Sequence, residues 1–173
     1  MLDVAVSYNR YKFIGHEFLT WLWFAIEEDQ GLDQVFEPST SVDIGNRLVL
    51  ENRKREAKET VTIKGDDAGL EEGRLALSKG AVVSEMNIVC RRGDQQWQVT
   101  LKAESFHMTG LRCPPTGPVE TGADLEGAVL EKIFLCDQLI GVVDSLFSTF
   151  LQKRLSHGWQ DREVPKVKRW IVA

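Results

Sequence analysis

The chain of 173 residues has few of the residues that build common metal and disulfide frameworks. Its three cysteines, Cys90, Cys113 and Cys136, are each 23 residues apart and include no CxxC pair. An odd number of widely spaced cysteines disfavours both a disulfide framework and a zinc site. Cys90 and Cys136 are expected to be buried as small apolar side chains, and Cys113, beside Pro114, to be more exposed.

Catalytic motifs are also missing. The three histidines are scattered, and His16-Glu17 does not begin an HExxH run because Thr20 stands where the second histidine belongs. No glycine-rich phosphate loop and no GxSxG elbow is present. Glu71 and Glu72 are adjacent on a predicted helix, so their carboxylates point apart. The sequence therefore predicts no catalytic residue, no metal site and no cofactor, and a protein that is not an enzyme.

Two further absences bear on location and partners. Residues 1–10 lack the pattern of a secretory signal, and no apolar run approaches the roughly 20 residues that span a bilayer. A cytoplasmic protein with no membrane partner is therefore expected. The formal net charge of −5 gives no overall attraction to nucleic acid. The hydrophobic fraction of 43% is that of an ordinary globular protein.

The first helical pattern that is present covers residues 12–30. Its apolar residues recur every three or four positions, and Gly31 provides a stop. Glu27 and Glu28 lie at its C-terminal end, which is unfavourable for the helix dipole, and the sequence offers no reason for them. The apolar residues are Phe13, Phe18, Leu19, Leu22, Trp23 and Ile26.

An antiparallel β-meander is the second feature. Apolar and polar residues alternate in the runs 82–90 and 97–103, which flank a turn at Arg92, Gly93 and Asp94. One face of the sheet is expected to be apolar and the other polar. Further strands are expected at 42–50, 60–64 and 106–113, and a short helix at 66–80.

A long helical pattern begins at Asp124 and ends before Gly158. Its apolar residues step alternately by four and three positions, the heptad spacing of coiled coils. We call this set the seam; it consists of Val129, Ile133, Cys136, Ile140, Val143, Phe147 and Phe150. Either the seam packs on the apolar face of the sheet, or part of it pairs with the same helix of a second subunit. Packing within the chain is favoured because the sheet needs a cover, although the apolar breadth of the helix leaves room for both.

Together these patterns predict the fold class α+β. An antiparallel β-meander packs against an N-terminal aromatic-rich helix and one long C-terminal amphipathic helix, in a single domain over residues 1–173. Residues 164–173 alternate weakly, and they are expected to form an edge strand or to lie along the surface, starting at Pro165.

Two basic groups are candidates for contact with a phosphate backbone. One lies in a charged segment that is expected to be an exposed hairpin tip, and the other stands beside Trp170, whose ring offers a stacking plane. Ordinary solvated surface charge is the alternative interpretation. The first group is Arg53, Lys54, Arg55 and Lys58, and the second is Lys166, Lys168 and Arg169.

Several stretches, taken in order, carry a resemblance to a known family. They are EFLTWLW at 17–23, GLEE at 69–72, GAVV at 80–83, LRCP at 111–114 and the acidic start of the long helix at Asp124. In these stretches and in its order of elements, the chain resembles the C-terminal part of the recombination-associated RdgC family of nucleoid-associated bacterial proteins. The likeness covers most of residues 12–155.

The resemblance implies an RdgC-like α+β domain that closes into a ring-shaped homodimer with a positively charged hole. Such a protein binds double-stranded DNA with little sequence preference and restrains recombinase filaments. The resemblance also implies that Lys64, at the end of the second strand, lies near the DNA.

Two functions are expected from these observations. The first is a non-enzymatic DNA-binding protein that modulates recombination as a homodimer, through sequence-independent backbone contacts. The alternative is a protein-interaction module of phage or mobile-element origin, which grips a partner through its acidic face or long helix and does not bind DNA. No small-molecule substrate is evident for either.

Overall fold

The computed structural model describes residues 13–28, 32, 40–52, 59–63, 67–119 and 121–173. Within them lie four α-helices, five β-strands and one π-helical segment, which confirms the α+β class. In chain order the elements are α1 (Phe13–Glu27), β1 (Thr40–Asn52), β2 (Glu59–Ile63), α2 (Asp67–Ser78), β3 (Val82–Arg92), β4 (Gln95–Lys102), β5 (Met108–Arg112), α3 (Gly122–Leu155), the π-helical segment Trp159–Glu163 and α4 (Val164–Val172).

The five strands form one antiparallel sheet in the order β2-β1-β3-β4-β5. β3 and β4 are joined at Gly93, whose φ of +55° is readily adopted by glycine. The register places Cys90 opposite Trp97 and Ile88 opposite Val99. Because side chains alternate along a strand, these four buried side chains all lie on one face of the sheet.

The opposite face is polar, as the alternation predicts. Asn87 donates to Thr100 Oγ1 at 3.0 Å, and Glu85 lies 3.3 Å from both Arg47 and Lys102. Exposed ion pairs of this kind contribute at most about 1 kcal/mol each. This face therefore carries charges that pair with one another, together with the buried side chains of Asn87 and Val89.

α1 lies on the apolar face and is buried on nearly all sides, because β1 and β3 contact it from below and α3 and α4 from the flanks. Phe18 and Trp21 pack against Phe150 of α3, with ring centroids 5.6 Å and 5.7 Å apart. The prediction that the aromatic side chains of this helix serve packing is confirmed. Its buried residues are Gly15, His16, Phe18, Leu19, Trp21, Leu22, Trp23, Phe24 and Ala25.

Glu27, at the unfavourable end of α1, has a structural explanation. Its carboxylate accepts hydrogen bonds from the indole N–H of Trp23 at 2.6 Å and of Trp170 at 2.8 Å. Arg74 of α2 lies 3.5 Å from the same carboxylate. The acidic side chain thus joins three helices and satisfies two buried donors, which outweighs the small dipole penalty.

Replacing Glu27 by alanine is expected to lower the free energy of unfolding by about 2–4 kcal/mol, because two buried indole donors lose their acceptor. Urea denaturation followed by circular dichroism measures this change. Glu71→Ala, at an exposed position of α2, is the matched control and should stay within about 0.5 kcal/mol of wild type. Equal stability of the two variants would contradict the role given to Glu27.

The edge strand predicted at residues 164–173 is wrong. These residues form α4, and Pro165 lies in its first turn, where its missing N–H costs no hydrogen bond. Trp170 is 3% exposed, and its ring centroid is 5.2 Å from that of Trp23. The three- and four-residue spacing of Val164, Val167 and Ile171 is helical, and it places these side chains against the core.

Candidate functional site

Two parallel apolar stripes run along α3, and only one of them faces the core. The core stripe consists of Leu135, Leu139, Val142, Leu146 and Phe150, all of them buried. The seam predicted from the sequence follows this stripe by one residue at most positions, for example Ile140 after Leu139. One residue corresponds to about 100° around a helix, so the seam faces sideways from the core.

The preference for packing the seam within the chain is therefore wrong for its N-terminal part. Val129, Ile133 and Ile140 are about half exposed, at 51%, 53% and 47%. The C-terminal part is covered as expected, because Phe147 packs edge-on against Phe18 and Phe106 at 5.1 Å. The exposed section of the seam is thus the candidate site.

The exposed section belongs to the N-terminal half of α3, which we call the projecting half because its side chains are exposed; Glu131 there accepts from the Gly117 N–H, in the loop after β5, at 3.3 Å. Between Gly122 and Phe134 every side chain that the structure describes is exposed, apart from the half-buried Ala128. Contact with the sheet begins at Leu135, whose carbonyl accepts a hydrogen bond from Trp97 Nε1 at 2.9 Å. The preceding 13 residues form about 20 Å of helix.

The start of this projecting helix is well defined. Thr121 is the N-cap, its hydroxyl accepts from the backbone N–H of Asp124 at 3.3 Å, and Asp124 accepts from the Thr121 N–H at 2.7 Å. This reciprocal capping box fixes the first turn. Isolated helices of this length are marginal in water, and most helical stability comes from packing an apolar face. A capped helix with an exposed apolar stripe is therefore suited to a partner.

Charged side chains flank the seam on both sides. Lys132 precedes Ile133 on one flank, and Asp137 follows Cys136 on the other. Neither forms an ion pair within the part of the chain that the structure describes. In heptad terms they occupy the g and e positions, which form salt bridges between paired helices. The sequence analysis missed both residues and Leu125, which extends the apolar stripe one turn before Val129 and is 56% exposed.

Cys136 of the seam lies against Cys113, which follows β5. Their sulfur atoms are 3.5 Å apart, and both side chains are half-buried. Burial, followed by the contact with Cys136, raises the pKa of the Cys113 thiol. Burial raises the pKa of Cys90 to about 12, and that residue is buried as predicted. The wide sequence spacing of the cysteines gave no sign that two of them meet.

Diamide should join Cys113 to Cys136: each thiol gives up one hydrogen, the two sulfurs bond, and diamide is reduced to its hydrazine. We expect the number of thiols that react with iodoacetamide after denaturation to fall from three to one. The reaction should accelerate as the pH rises, because the attacking thiolate forms only above neutral pH. Cys113→Ser is the control and should keep both of its remaining thiols. Loss of Cys90 reactivity instead would contradict the assignment.

The residues predicted to bind DNA are only partly within the described chain. Arg53, Lys54, Arg55, Lys58 and Lys64 lie outside it. On α4, the Lys166 ammonium lies 3.4 Å from Glu163, and Arg169 donates to the carbonyl of Pro165. The stacking plane predicted at Trp170 is wrong, because that ring is buried and bonded to Glu27. The described members of the two groups are Lys166, Lys168 and Arg169, all of them on α4.

By length and composition alone, α3 is apolar and long enough to cross a membrane, and 22% of its most apolar window is buried. The sequence analysis expected no segment long and apolar enough to span a bilayer, and by this test of length and composition that expectation is wrong. Core helices of globular proteins pass the same test. In this chain Leu139, Leu146 and Phe150 of the same helix are locked in the domain core, so crossing a bilayer would require the core to open.

Comparison of the chain with family models, curated proteins and solved structures gives no match in any of the three. These comparisons leave the resemblance to the RdgC family as a prediction. The class that the fold and the surface define is therefore an α+β domain with a projecting, apolar, heptad-spaced helix.

Proposed function

We propose that this protein is an interaction module that works as a homodimer, with the projecting half of α3 as its dimerisation helix. The observation that carries the proposal is the exposed section of the seam, with Val129, Ile133 and Ile140 about half exposed. Heptad spacing fits a second helix of the same spacing, and the simplest such partner is another copy of this chain.

Charge favours a parallel arrangement of the two helices. In a parallel pair, a g residue faces the e residue five positions later in the other helix. Lys132 then faces Asp137 of the partner subunit, and the symmetry of the dimer produces this ion pair twice. In an antiparallel pair e residues face e residues, which brings two aspartates together at a cost.

A charge exchange tests whether a second copy of this chain pairs with α3 and whether the two helices run parallel. We expect Lys132→Glu to weaken the dimer about 3- to 10-fold in sedimentation experiments, because the change sets two acidic side chains against each other. The double variant Lys132→Glu/Asp137→Lys should regain the wild-type dissociation constant. Lys79→Glu, which makes the same change of charge at an exposed position outside α3, is the control for a general effect of net charge. A chain that stays monomeric at 100 µM, a concentration on the order of a weak dimer's Kd, would refute the proposal.

Sequence-independent DNA binding is the second candidate, and one observation favours it. α2 contacts both β2 and α4, so the helix that carries Lys166 and Lys168 packs on the same helix as β2. In the sequence, β2 stands between Lys58 and Lys64. Recombination control in the nucleoid and a cytoplasmic location belong to this candidate, through the resemblance.

Salt separates the two functions. Binding to duplex DNA weakens steeply as salt displaces the protein from phosphates. Association through an apolar seam persists, because salt also screens the repulsion between two chains of net charge −5. Mobility shifts and sedimentation over the same range of salt concentration test both. A dimer in sedimentation with no mobility shift of DNA at low salt supports the interaction module without DNA binding. A mobility shift of DNA that added salt abolishes supports DNA binding.

A further inference from the structure

Cys113 and Cys136 place two free thiols side by side where the projecting half of α3 meets the sheet. Their sulfur atoms are 3.5 Å apart, and a disulfide bond of about 2.05 Å requires them to approach by about 1.5 Å. The residues just before them hold the backbone on each side, because Arg112 pairs with β4 and the carbonyl of Leu135 accepts from Trp97. The folded chain therefore keeps the two thiols together.

Small oxidants can reach this pair from solvent. Both cysteine side chains are half-buried rather than enclosed, and Arg112, Pro115 and Asp137 next to them in sequence are exposed. Redox-sensing cysteines are often solvent-accessible and placed beside a second, resolving cysteine. Burial raises the pKa of the Cys113 thiol, which slows its oxidation at neutral pH without preventing it. Cys90, which is 2% exposed, has neither access nor a neighbouring thiol.

Cys136 also belongs to the seam through which two copies of the chain are proposed to pair. With Lys132 at a g position and Asp137 at an e position, Cys136 occupies a d position. In a parallel pair of helices, equivalent d residues pack against each other across the axis. Oxidation of Cys136 can therefore produce either of two bonds, one to Cys113 within the chain and the other to the partner subunit's Cys136.

A low-molecular-weight disulfide can oxidise the intrachain pair in two exchange steps. The first cysteine loses its proton to solvent, and its thiolate attacks the small disulfide, which forms a mixed disulfide and releases one small thiolate. The thiolate of the second cysteine then attacks the protein sulfur of the mixed disulfide, which closes the intrachain bond and releases the second small thiolate. Two protein thiols are oxidised, and one small disulfide is reduced to two thiols, which regain the two protons from solvent.

We propose that Cys113 and Cys136 are a thiol redox site for low-molecular-weight disulfides, and that Cys113 keeps oxidation of the seam within one chain. The second part rests on the proposed homodimer, and the first part does not. Cys113 lies beside Cys136 in the single chain, whereas the partner subunit's thiol is near only in the dimer. The intrachain bond therefore forms first, and the dimer stays non-covalent and able to dissociate.

Oxidised glutathione, added to the full chain at mildly alkaline pH, tests the redox site. We expect wild type to lose two of its three iodoacetamide-reactive thiols, to become lighter by two hydrogens, and to run as a single chain on a non-reducing gel. Dithiothreitol should restore all three thiols. The control, Cys136→Ser, lacks the resolving thiol and should stop at a glutathione adduct on Cys113. A lasting glutathione adduct on wild type, or three thiols that all remain reactive, overturns the proposal.

Cys113→Ser tests whether Cys113 prevents a bond between two chains. In dilute protein this variant has no second thiol within reach of Cys136, so diamide should leave both of its remaining thiols reactive. Above the dissociation constant of the dimer, oxidised glutathione should produce about 10-fold or more disulfide-linked dimer than in wild type. Adding Ile133→Glu, which removes the apolar contact of the seam, should abolish this cross-link. Equal cross-linking of wild type and Cys113→Ser overturns the role given to Cys113.

Sedimentation of the reduced Cys113→Ser protein separates the two ways in which this experiment can fail. If the variant does not cross-link and is monomeric, the proposed homodimer is refuted together with the role of Cys113 in it. If the variant does not cross-link although it is dimeric, the dimer stands and only the role of Cys113 is refuted. The thiol count of wild type decides the redox site independently of both results.

Discussion

Changing Ile133 to glutamate should weaken self-association about 100-fold or more. Ile133 is 53% exposed in the single chain and lies near the middle of the exposed section of the seam. In a symmetric dimer the change occurs twice, and each isoleucine contributes about 1.5–3 kcal/mol when it is fully buried. A buried glutamate adds the cost of removing its charge from water. Sedimentation equilibrium measures the dissociation constant.

The matched control for Ile133→Glu is Leu155→Glu. Leu155 is 81% exposed at the other end of α3 and lies outside the seam. The control carries the same change of charge on the same helix, so its dissociation constant should remain near that of wild type. Equal weakening in both variants would point to net charge, and unchanged association in both would place the interface elsewhere.

The second large effect concerns the core stripe of α3. Phe150→Ala should lower the free energy of unfolding by about 3–5 kcal/mol, because a fully buried ring is replaced by a cavity. Phe150 lies within aromatic contact distance of Phe18, Trp21 and Trp159. Chemical denaturation of dilute protein, in which the monomer predominates, measures the loss.

Phe134→Ala provides the comparison for Phe150→Ala. Phe134 is on the same helix and is 61% exposed, and its truncation should change stability by no more than about 0.5 kcal/mol. The contrast checks that the two faces of α3 have the different environments described here. A large loss of stability from Phe134→Ala would mean that the projecting helix is packed within the chain.

The sheet and α1 could be predicted from sequence because their patterns report burial directly. In β4, Trp97, Val99 and Leu101 alternate with polar residues, and the structure buries just those three. A strand with one buried face leaves this period-two record in the sequence. The aromatic spacing of α1 identifies a buried helix in the same way.

α3 could be predicted as a helix, but its orientation could not. Two apolar stripes lie one residue apart along it, and either one satisfies the spacing of an amphipathic helix. Which stripe enters the core depends on the position of Trp97, which holds α3 through the carbonyl of Leu135. That contact joins residues far apart in sequence and leaves no periodic signal.

The remaining features combine residues from distant parts of the chain. Glu27 meets Trp170 across 143 positions, and Arg154 meets Glu17 across 137. The sequence of the nine-residue α4 showed only a weak, strand-like alternation. Contacts with α1 and α2 stabilise this segment as a helix. Local pattern does not record such contacts, since tertiary packing overrides propensity in short segments.

Hydrogen exchange at two protein concentrations tests most directly whether a second copy covers the projecting half of α3. At concentrations above the dissociation constant, the amides of residues 125–134 should exchange about 10-fold or more slowly than in dilute protein, because the pairing suppresses local opening. The amides of residues 139–150, in the part of α3 that carries most of the core stripe, should be protected equally at both concentrations. Exchange of residues 125–134 at one rate, whatever the concentration, would contradict dimerisation through this helix.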